Sequence, residues 1–448
     1  MRIHLIAVGG AVMHNLALAL QNNHHTVSGS DDEIYNPARD RLAAAGLLPA
    51  SFGWDAERIT HELDAVIVGM HARLDNPELL RAQELDLPIY SFPAFIRKHS
   101  NDKKRIVVAG SHGKTSTTAM IMHILRKSNR QFDYLVGAQL DGFENMVQLS
   151  DAPVIVLEGD EYLSSPLDRR PKFLHYAPDL TIITGIEHDH INVFPEFAEY
   201  KEQFALLTET HRPSGKVFYF GEDEHLCDIM QNRDFACTCV PYYAFRSEVK
   251  AGKTIAFDAA GNPHPLQIFG KHNLENLRAA YLVCREYGVS EAEFWQAAET
   301  FAGAAKRLEL TERNDRSCVW RDFAHAPSKV RATTHAVAAQ YADRELVAVF
   351  ELHTFSSLNR DFLDNYAETM NAADLALVYF SEHTLRMKKM PALAKSEVAD
   401  AFKHPKIRVF TDAEKLAETL RALNFEDTNL LLMSSGKFGG IDLTGFLS

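Results

Sequence analysis

Arg105 to Thr118 reads RIVVAGSHGKTSTT, and the fold class is decided there. Ile106, Val107, Val108 and Ala109 form a short apolar run of the kind found in a strand buried on both faces. The run breaks into Gly110-Ser111-His112-Gly113-Lys114-Thr115-Ser116, and the spacing of Met120, Ile121, Ile124 and Leu125 then predicts a helix with one buried face. Strand, glycine loop and helix in that order point backbone N–H groups and the positive end of a helix dipole at an anion. Lys114 would place a point charge at the β- and γ-phosphates of a nucleoside triphosphate, and the Thr115 hydroxyl would be a ligand for Mg²⁺. The strict pattern G-x-x-x-x-G-K-[ST] is not met, because Val108 stands at its first glycine. The competing reading is an ordinary βα turn with a solvated Lys114. GKTST directly after a buried strand favours the phosphate loop.

Outward from this stretch, the 448 residues exceed one ordinary core, so about two to four domains are expected. A hydrophobic fraction of 46% and a charged fraction of 24% are those of a soluble globular chain. The formal net charge of −13 argues against a nucleic-acid partner, which selects basic faces. The five cysteines lack paired C-x-x-C spacing and point to reduced thiols in a cytoplasmic protein; Cys237-Thr238-Cys239 alone is half a metal site at most. The opening IHLIAVGGAV reads as a first strand rather than a signal peptide, and no run approaches the ~20 apolar residues that span a membrane.

The chain divides into three segments. Residues 1–102 alternate strands (Ile3–Val8, Thr26–Ser28, Ala65–Val68, Pro88–Ser91) with helical patterns, as in a Rossmann-like half whose ligand lies at the strand ends. Gly9 and Gly10 form the first turn there, and Asp31 stands where a ribose-binding carboxylate often does; a solvated turn is the alternative for Asp31. The polar run His99–Lys104 reads as a linker. Residues 103–304 hold the phosphate loop and two further strands, Pro153–Leu157 and Leu180–Ile183. These end in Glu158-Gly159-Asp160-Glu161 and Gly185-Ile186-Glu187-His188-Asp189-His190, which a parallel sheet would bring to one edge beside the loop. Glu161 with Thr115 would supply oxygen ligands for Mg²⁺, and His190 a ligand for a second metal ion. Asn273 and Asn276, three apart before the helix Leu277–Tyr287, read either as a helix N-cap or as amides for an adenine edge. Residues 305–448 carry strands at Glu345–Phe350, Leu375–Phe380, Ile407–Phe410 and Leu430–Met433, a second α/β domain. Its loop Ser434–Gly440 either approaches a ligand closely or merely reverses the chain.

Taken together, IHLIAVGGAVM with VSGSD, AGSHGKTST, EGDEY, the DH of GIEHDH, GKHNLEN, and AKRLEL followed by DFAHAP resemble the Mur ligase family over essentially the whole chain. The resemblance implies an α/β protein of three domains: a Rossmann-like UDP-binding domain, a central P-loop ATPase domain and a C-terminal Rossmann-like α/β domain that binds the incoming amino acid or peptide. It implies an ATP-dependent amide ligase of the cytoplasm, monomer or homodimer, with ATP and Mg²⁺, that acts through an acyl phosphate in peptidoglycan synthesis or recycling. Lys114, Glu161 and His190 would be catalytic, with Thr115, Glu161 and His190 as metal ligands. Gly110, Ser111, His112, Gly113, Lys114, Thr115, Ser116, Asn273, Asn276, Arg307 and Asp322 would bind ATP, with His325 nearby. Gly9, Gly10, Asp31 and His71 would hold UDP-N-acetylmuramate, and His353 and Lys437 the acceptor. The arginine-rich segment that relatives adding L-alanine carry after this histidine reads Thr354-Phe355-Ser356-Ser357-Leu358 here. That change favours the tripeptide L-alanyl-γ-D-glutamyl-meso-diaminopimelate over L-alanine. A nucleotide sensor without ligase activity is the reading from a different class.

Overall fold

The computed structural model describes residues 1–188 and 193–447. Its first strands are Arg2–Ile6, Thr26–Ser30, Ala65–Val68 and Ile89–Ser91, a parallel sheet with the spatial order second, first, third, fourth. Ile3, Leu5 and Ile6 are fully buried, so the apolar opening is a strand, as its pattern predicts. The helix Ala11–Asn22 covers one face with Leu16, Ala17 and Leu20, and Pro77–Glu84 covers the other with Leu79 and Ala82. A sheet covered on both faces needs apolar residues at successive positions, which is why VIV of Ala65–Val68 shows no alternation.

The central sheet has seven strands in the order Thr238–Tyr242, Lys216–Phe220, Leu180–Ile183, Lys104–Ala109, Val154–Glu158, Asp133–Leu135, Val147–Gln148. All neighbours pair in parallel except the two-residue edge strand Val147–Gln148. The phosphate-loop strand sits between Leu180–Ile183 and Val154–Glu158, so the three chemistry-bearing strand ends open side by side, as expected. Lys216–Phe220, Thr238–Tyr242 and the antiparallel ribbon Ser247–Lys250, Lys253–Phe257, Pro263–Leu266 carry no signal in the sequence reading. They are short, and several alternate polar with apolar because one face stays wet. Cys237-Thr238-Cys239 enters the edge strand, and all five cysteines are free.

A third sheet has the order Glu309–Arg313, Cys318–Asp322, Thr428–Met433, Glu345–Leu352, Leu375–Phe380, Ile407–Phe410. Only its first strand pairs antiparallel. The four expected strands are there, and the first two are additions.

The expected linker joins the first sheet to the second and is held by hydrogen bonds. The helix Phe92–His99 runs into it, and the buried Ser100 hydroxyl donates to Ile96 O at 2.8 Å. Lys103 Nζ donates to the carbonyls of Ser150 and Ala152, both at 2.7 Å, and pairs with the buried Asp133 at 3.2 Å. Arg105 Nη1 donates to Ser100 O at 2.7 Å. Polar residues that look solvated in sequence are held by backbone carbonyls of neighbouring segments. Among the described residues, no helix is long and apolar enough to cross a membrane.

Candidate active site

The helix Lys114–Lys127 begins directly after Gly113, whose φ of +76° is left-handed. A side chain there would also strike the Asn276 amide, so only glycine fits both the turn and the neighbour. No side chain caps this helix start, and its first amides face the cavity in front of it. Ser111 is committed to the loop itself: its N–H donates to Gly185 O at 2.8 Å and its hydroxyl accepts the Glu187 N–H at 2.8 Å. That hydroxyl also lies 2.8 Å from the buried Tyr200 hydroxyl, which donates to Glu161 Oε1 at 3.2 Å. Tyr200 reaches the site from the helix Phe197–Glu209, and nothing in its local sequence marks it.

The two glutamates of EGDE divide their partners. Lys114 Nζ meets Glu161 at 3.0 Å on one oxygen and 2.9 Å on the other, with Glu161 fully enclosed. Thr115 Oγ1 instead donates to Glu158 Oε1 at 2.8 Å, and Glu158 Oε2 accepts the Gly137 N–H at 2.8 Å. Burial raises the Glu158 carboxyl above its ordinary range, opposed by these hydrogen bonds and by Lys114 and Arg307. The oxygen pair next to the loop hydroxyl is therefore Thr115 with Glu158, not Thr115 with Glu161. Asp160 is held by Lys172 Nζ at 2.6 Å. His190 lies outside the described residues. Among the described residues, no group of three His, Cys, Asp or Glu side chains is arranged to hold a metal ion.

A cavity of 610 Å³ lies over the loop. His112, Lys114, Thr115 and Ser116 form one wall and Asn273 and Asn276 another, both asparagines being buried. The helix carrying them starts at Lys271, with Gly270 before it, so neither asparagine is an N-cap. Asn273 Nδ2 donates to Phe269 O at 2.9 Å. Arg307, in the turn before the third sheet, and Asp322, at the end of its second strand, close the opposite side, and Val12 and Phe92 of the first domain reach its edge. Asp322 accepts the Leu308 and Ala324 N–H groups, each at 2.7 Å, and so fixes the turn that presents Arg307 over the Phe323 ring, 4.8 Å from its centroid. It acts on the cavity by placing Arg307.

On the first sheet, Gly9, Gly10, Asp31 and His71 all lie beyond the carboxyl ends of strands. Asp31 Oδ2 accepts the Gly9 N–H at 2.7 Å, which pins the glycine turn. Burial lifts the Asp31 carboxyl to about 6. His71 stands exposed on the loop after Ala65–Val68.

Three family domains match in order: the Mur ligase family catalytic domain over residues 2–104, the Mur ligase middle domain over 108–284 and the Mur ligase glutamate ligase domain over 306–436. The UDP-N-acetylmuramate–L-alanine ligase of Limosilactobacillus reuteri is 32% identical, over 84% of this chain and 84% of that protein. The chain belongs to the Mur ligase family. The UDP-N-acetylmuramate–L-alanyl-γ-D-glutamyl-meso-2,6-diaminoheptandioate ligase of Escherichia coli K12 is 27% identical, over 98% of this chain and 96% of that one. The crystal structure of a murein peptide ligase from Psychrobacter arcticus superposes with a TM-score of 0.65 at 24% identity, over 98% and 97% of the two chains, and shares the fold.

In this Mur ligase the proposed acceptor residues part company. His353 lines a second, smaller cavity and lies 3.5 Å from Glu351. Burial would raise the Glu351 carboxyl, yet hydrogen bonds from His353, Ser434 and the Phe438 N–H hold it below its ordinary range. Gly436 packs on the same pair, since a side chain there would come within 2.7 Å of the His353 ring. The glycine-rich loop thus makes its close approach to Glu351 and His353. Lys437 is exposed and lines neither cavity.

Proposed function

We propose that this chain joins UDP-N-acetylmuramate to L-alanyl-γ-D-glutamyl-meso-diaminopimelate, with ATP converted to ADP and phosphate, in peptidoglycan recycling. The observation that carries the reading is the single cavity onto which all three domains open, with the phosphate loop on one wall and Arg307 on the other. A carboxylate is a poor electrophile, and phosphorylation gives it a leaving group. Transfer of the γ-phosphoryl group needs alignment and charge stabilisation rather than a protein nucleophile. Lys114 and the helix-start amides would hold the β- and γ-phosphates, Arg307 would approach from the third domain, and Asn273 and Asn276 would flank the base. The muramate carboxylate attacks the γ-phosphorus to form an acyl phosphate. The acceptor amine then attacks the acyl carbon, forming the amide bond as phosphate leaves.

The donor set fits Mg²⁺: the Thr115 hydroxyl and the Glu158 carboxylate are hard oxygens 2.8 Å apart, with Glu161 close by on Lys114. Mg²⁺ there would neutralise charge on the β- and γ-phosphates. Glu161 would leave Lys114 for this role once the phosphates take up the ammonium. Gly9, Gly10 and His71 would bind the UDP-sugar at the edge of the first sheet, with Asp31 holding the turn.

The acceptor assignment is supported by Thr354-Phe355-Ser356-Ser357-Leu358, which has no arginine to take an L-alanine carboxylate, and by the 27% identity to the Escherichia coli protein over 98% of this chain. L-alanine remains the second reading, favoured by relatives named for it at up to 32% identity. Phosphate release with ATP, Mg²⁺ and UDP-N-acetylmuramate decides. Release with the tripeptide and little with L-alanine is expected; the reverse would move the protein to the L-alanine reaction, and release with neither would leave a nucleotide-binding protein without ligase activity.

A further inference from the structure

The smaller cavity, 240 Å³, sits where Glu345–Leu352 ends in the third sheet. Tyr162 and His325 line both it and the large cavity, so the two open beside one another. Tyr162 follows Glu161 directly in the chain, which puts this wall next to the proposed transfer site. Across the small cavity, Lys388 Nζ lies 4.1 Å from the centroid of the Phe355 ring. The ring face attracts the ammonium and steadies a long side chain that would otherwise sweep through solvent. Lys388 makes no ion pair and no side-chain hydrogen bond among the described residues. Of the two histidines that also line this cavity, His353 is answered by Glu351 and His325 Nδ1 lies 2.9 Å from the Phe323 carbonyl. Burial also pushes the Lys388 ammonium below its ordinary range, the signature of a cation partly stripped of water with no counter-charge supplied by the fold. A ring-supported cation facing a cavity is suited to an anion that arrives with a ligand.

We infer that Lys388, supported by Phe355, forms a subsite for a carboxylate of the acceptor peptide beyond its attacking residue. The inference rests on the tripeptide reading above. In L-alanine the carboxylate and the amine share one carbon, so both must sit at the transfer site. In the tripeptide, the glutamyl and diaminopimelyl carboxylates lie many bonds from the attacking amine and need a separate place, and a neighbouring cavity with its own cation provides one. Phe355 and Lys388 would thus be specificity-determining residues, outside the phosphoryl-transfer machinery.

The test is steady-state kinetics of the full-length enzyme with the tripeptide and with a tripeptide whose glutamyl and diaminopimelyl carboxylates are carboxamides. Lys388→Met keeps the stem against Phe355 and removes the charge. It should raise KM for the tripeptide about tenfold, with kcat and the KM values for ATP and UDP-N-acetylmuramate little changed. The amidated peptide should bind the unmodified enzyme about as weakly as the parent peptide binds Lys388→Met, with no further loss in the variant. Lys388→Arg should restore most of the affinity. An unchanged KM in Lys388→Met, or an amidated peptide weakened by the substitution as much as the parent, would overturn the subsite while leaving the ligase reading intact. No turnover of the tripeptide by the unmodified enzyme would overturn the ligase reading, and the subsite with it.

Discussion

Lys114 is held by Glu161, and the pair is buried: 15% and 1% of the two side chains remain exposed. Removing one partner leaves the other charge enclosed, which costs more than the pair itself contributes. Lys114→Met should therefore abolish phosphate release and also lower stability by about 3 kcal/mol. Adding Glu161→Gln should recover most of that stability and none of the activity. Thermal unfolding of both variants checks this; a single variant as stable as the parent would count against the buried pair. Asp31 shows the opposite problem, a carboxylate buried beside the Gly9 amide with its pKa lifted to about 6. A folded pKa above the ordinary value of about 4 means the protonated form is the one the fold prefers. Its contribution is complete below about pH 4 and declines as pH rises through about 6. Relative to Asp31→Asn, the parent should lose melting temperature over that interval, and a constant difference from pH 4 to 8 would contradict it.

The element that links the first domain to the glycine loop of the second is the passage from Val136 to Met146. At one end the Gly137 N–H donates to Glu158, and at the other the Met146 N–H donates to Asn15 Oδ1 at 3.0 Å. Arg41 clamps it from the helix Ala38–Ala44, donating to Asn15 Oδ1 and Glu144 O, both at 3.0 Å, and to the Asn145 side chain. Arg41 of the first domain thus holds one end of the passage whose other end, at Gly137, donates to Glu158. Arg41→Ala should lower kcat roughly tenfold and raise KM for UDP-N-acetylmuramate, with KM for ATP little changed. Kinetics with each substrate varied in turn would separate this from a general loss of fold, which would move all the constants together. The sequence shows Arg41 as one more charge on a short helix, because its partners come from two stretches of chain, at Asn15 and at Glu144-Asn145, both distant from it in sequence.

Across the whole molecule, the third domain brings a cation, Arg307, to a cavity lined mainly by the second. Arg307 depends on a turn in which Lys306 and Leu308 both have left-handed φ, of +56° and +48°. Asp322 stabilises that turn by accepting the Leu308 N–H. On the proposed function, bringing this assembly over bound phosphates would make the approach of the domains part of the reaction. Arg307→Ala should cut kcat by about a hundredfold while the melting temperature changes little, since the guanidinium rests on Phe323 and the turn is held by Asp322. A matching loss of stability, read by thermal unfolding, would mean Arg307 serves the domain contact rather than the nucleotide.

The buried central strand, the glycine loop and helix that follow it and the three-domain α/β class were legible in the sequence alone. Apolar runs, glycine turns and helix spacing are local, and a parallel sheet brings its strand ends to one edge whatever the intervening chain. The partners within the site were decided by tertiary structure. The three-residue separation of Glu158 and Glu161 does not say which carboxylate meets Thr115 and which meets Lys114, because that depends on how the strand Val154–Glu158 aligns with the loop beside it. Tyr200, Arg41 and Lys388 carry no motif; each gains its place from a neighbour distant in sequence. The polar bridge at Ser100–Lys103 looks solvated for the same reason, since the carbonyls that satisfy it belong to other segments. A chain's local chemistry selects its elements, and long-range packing selects which side chains meet.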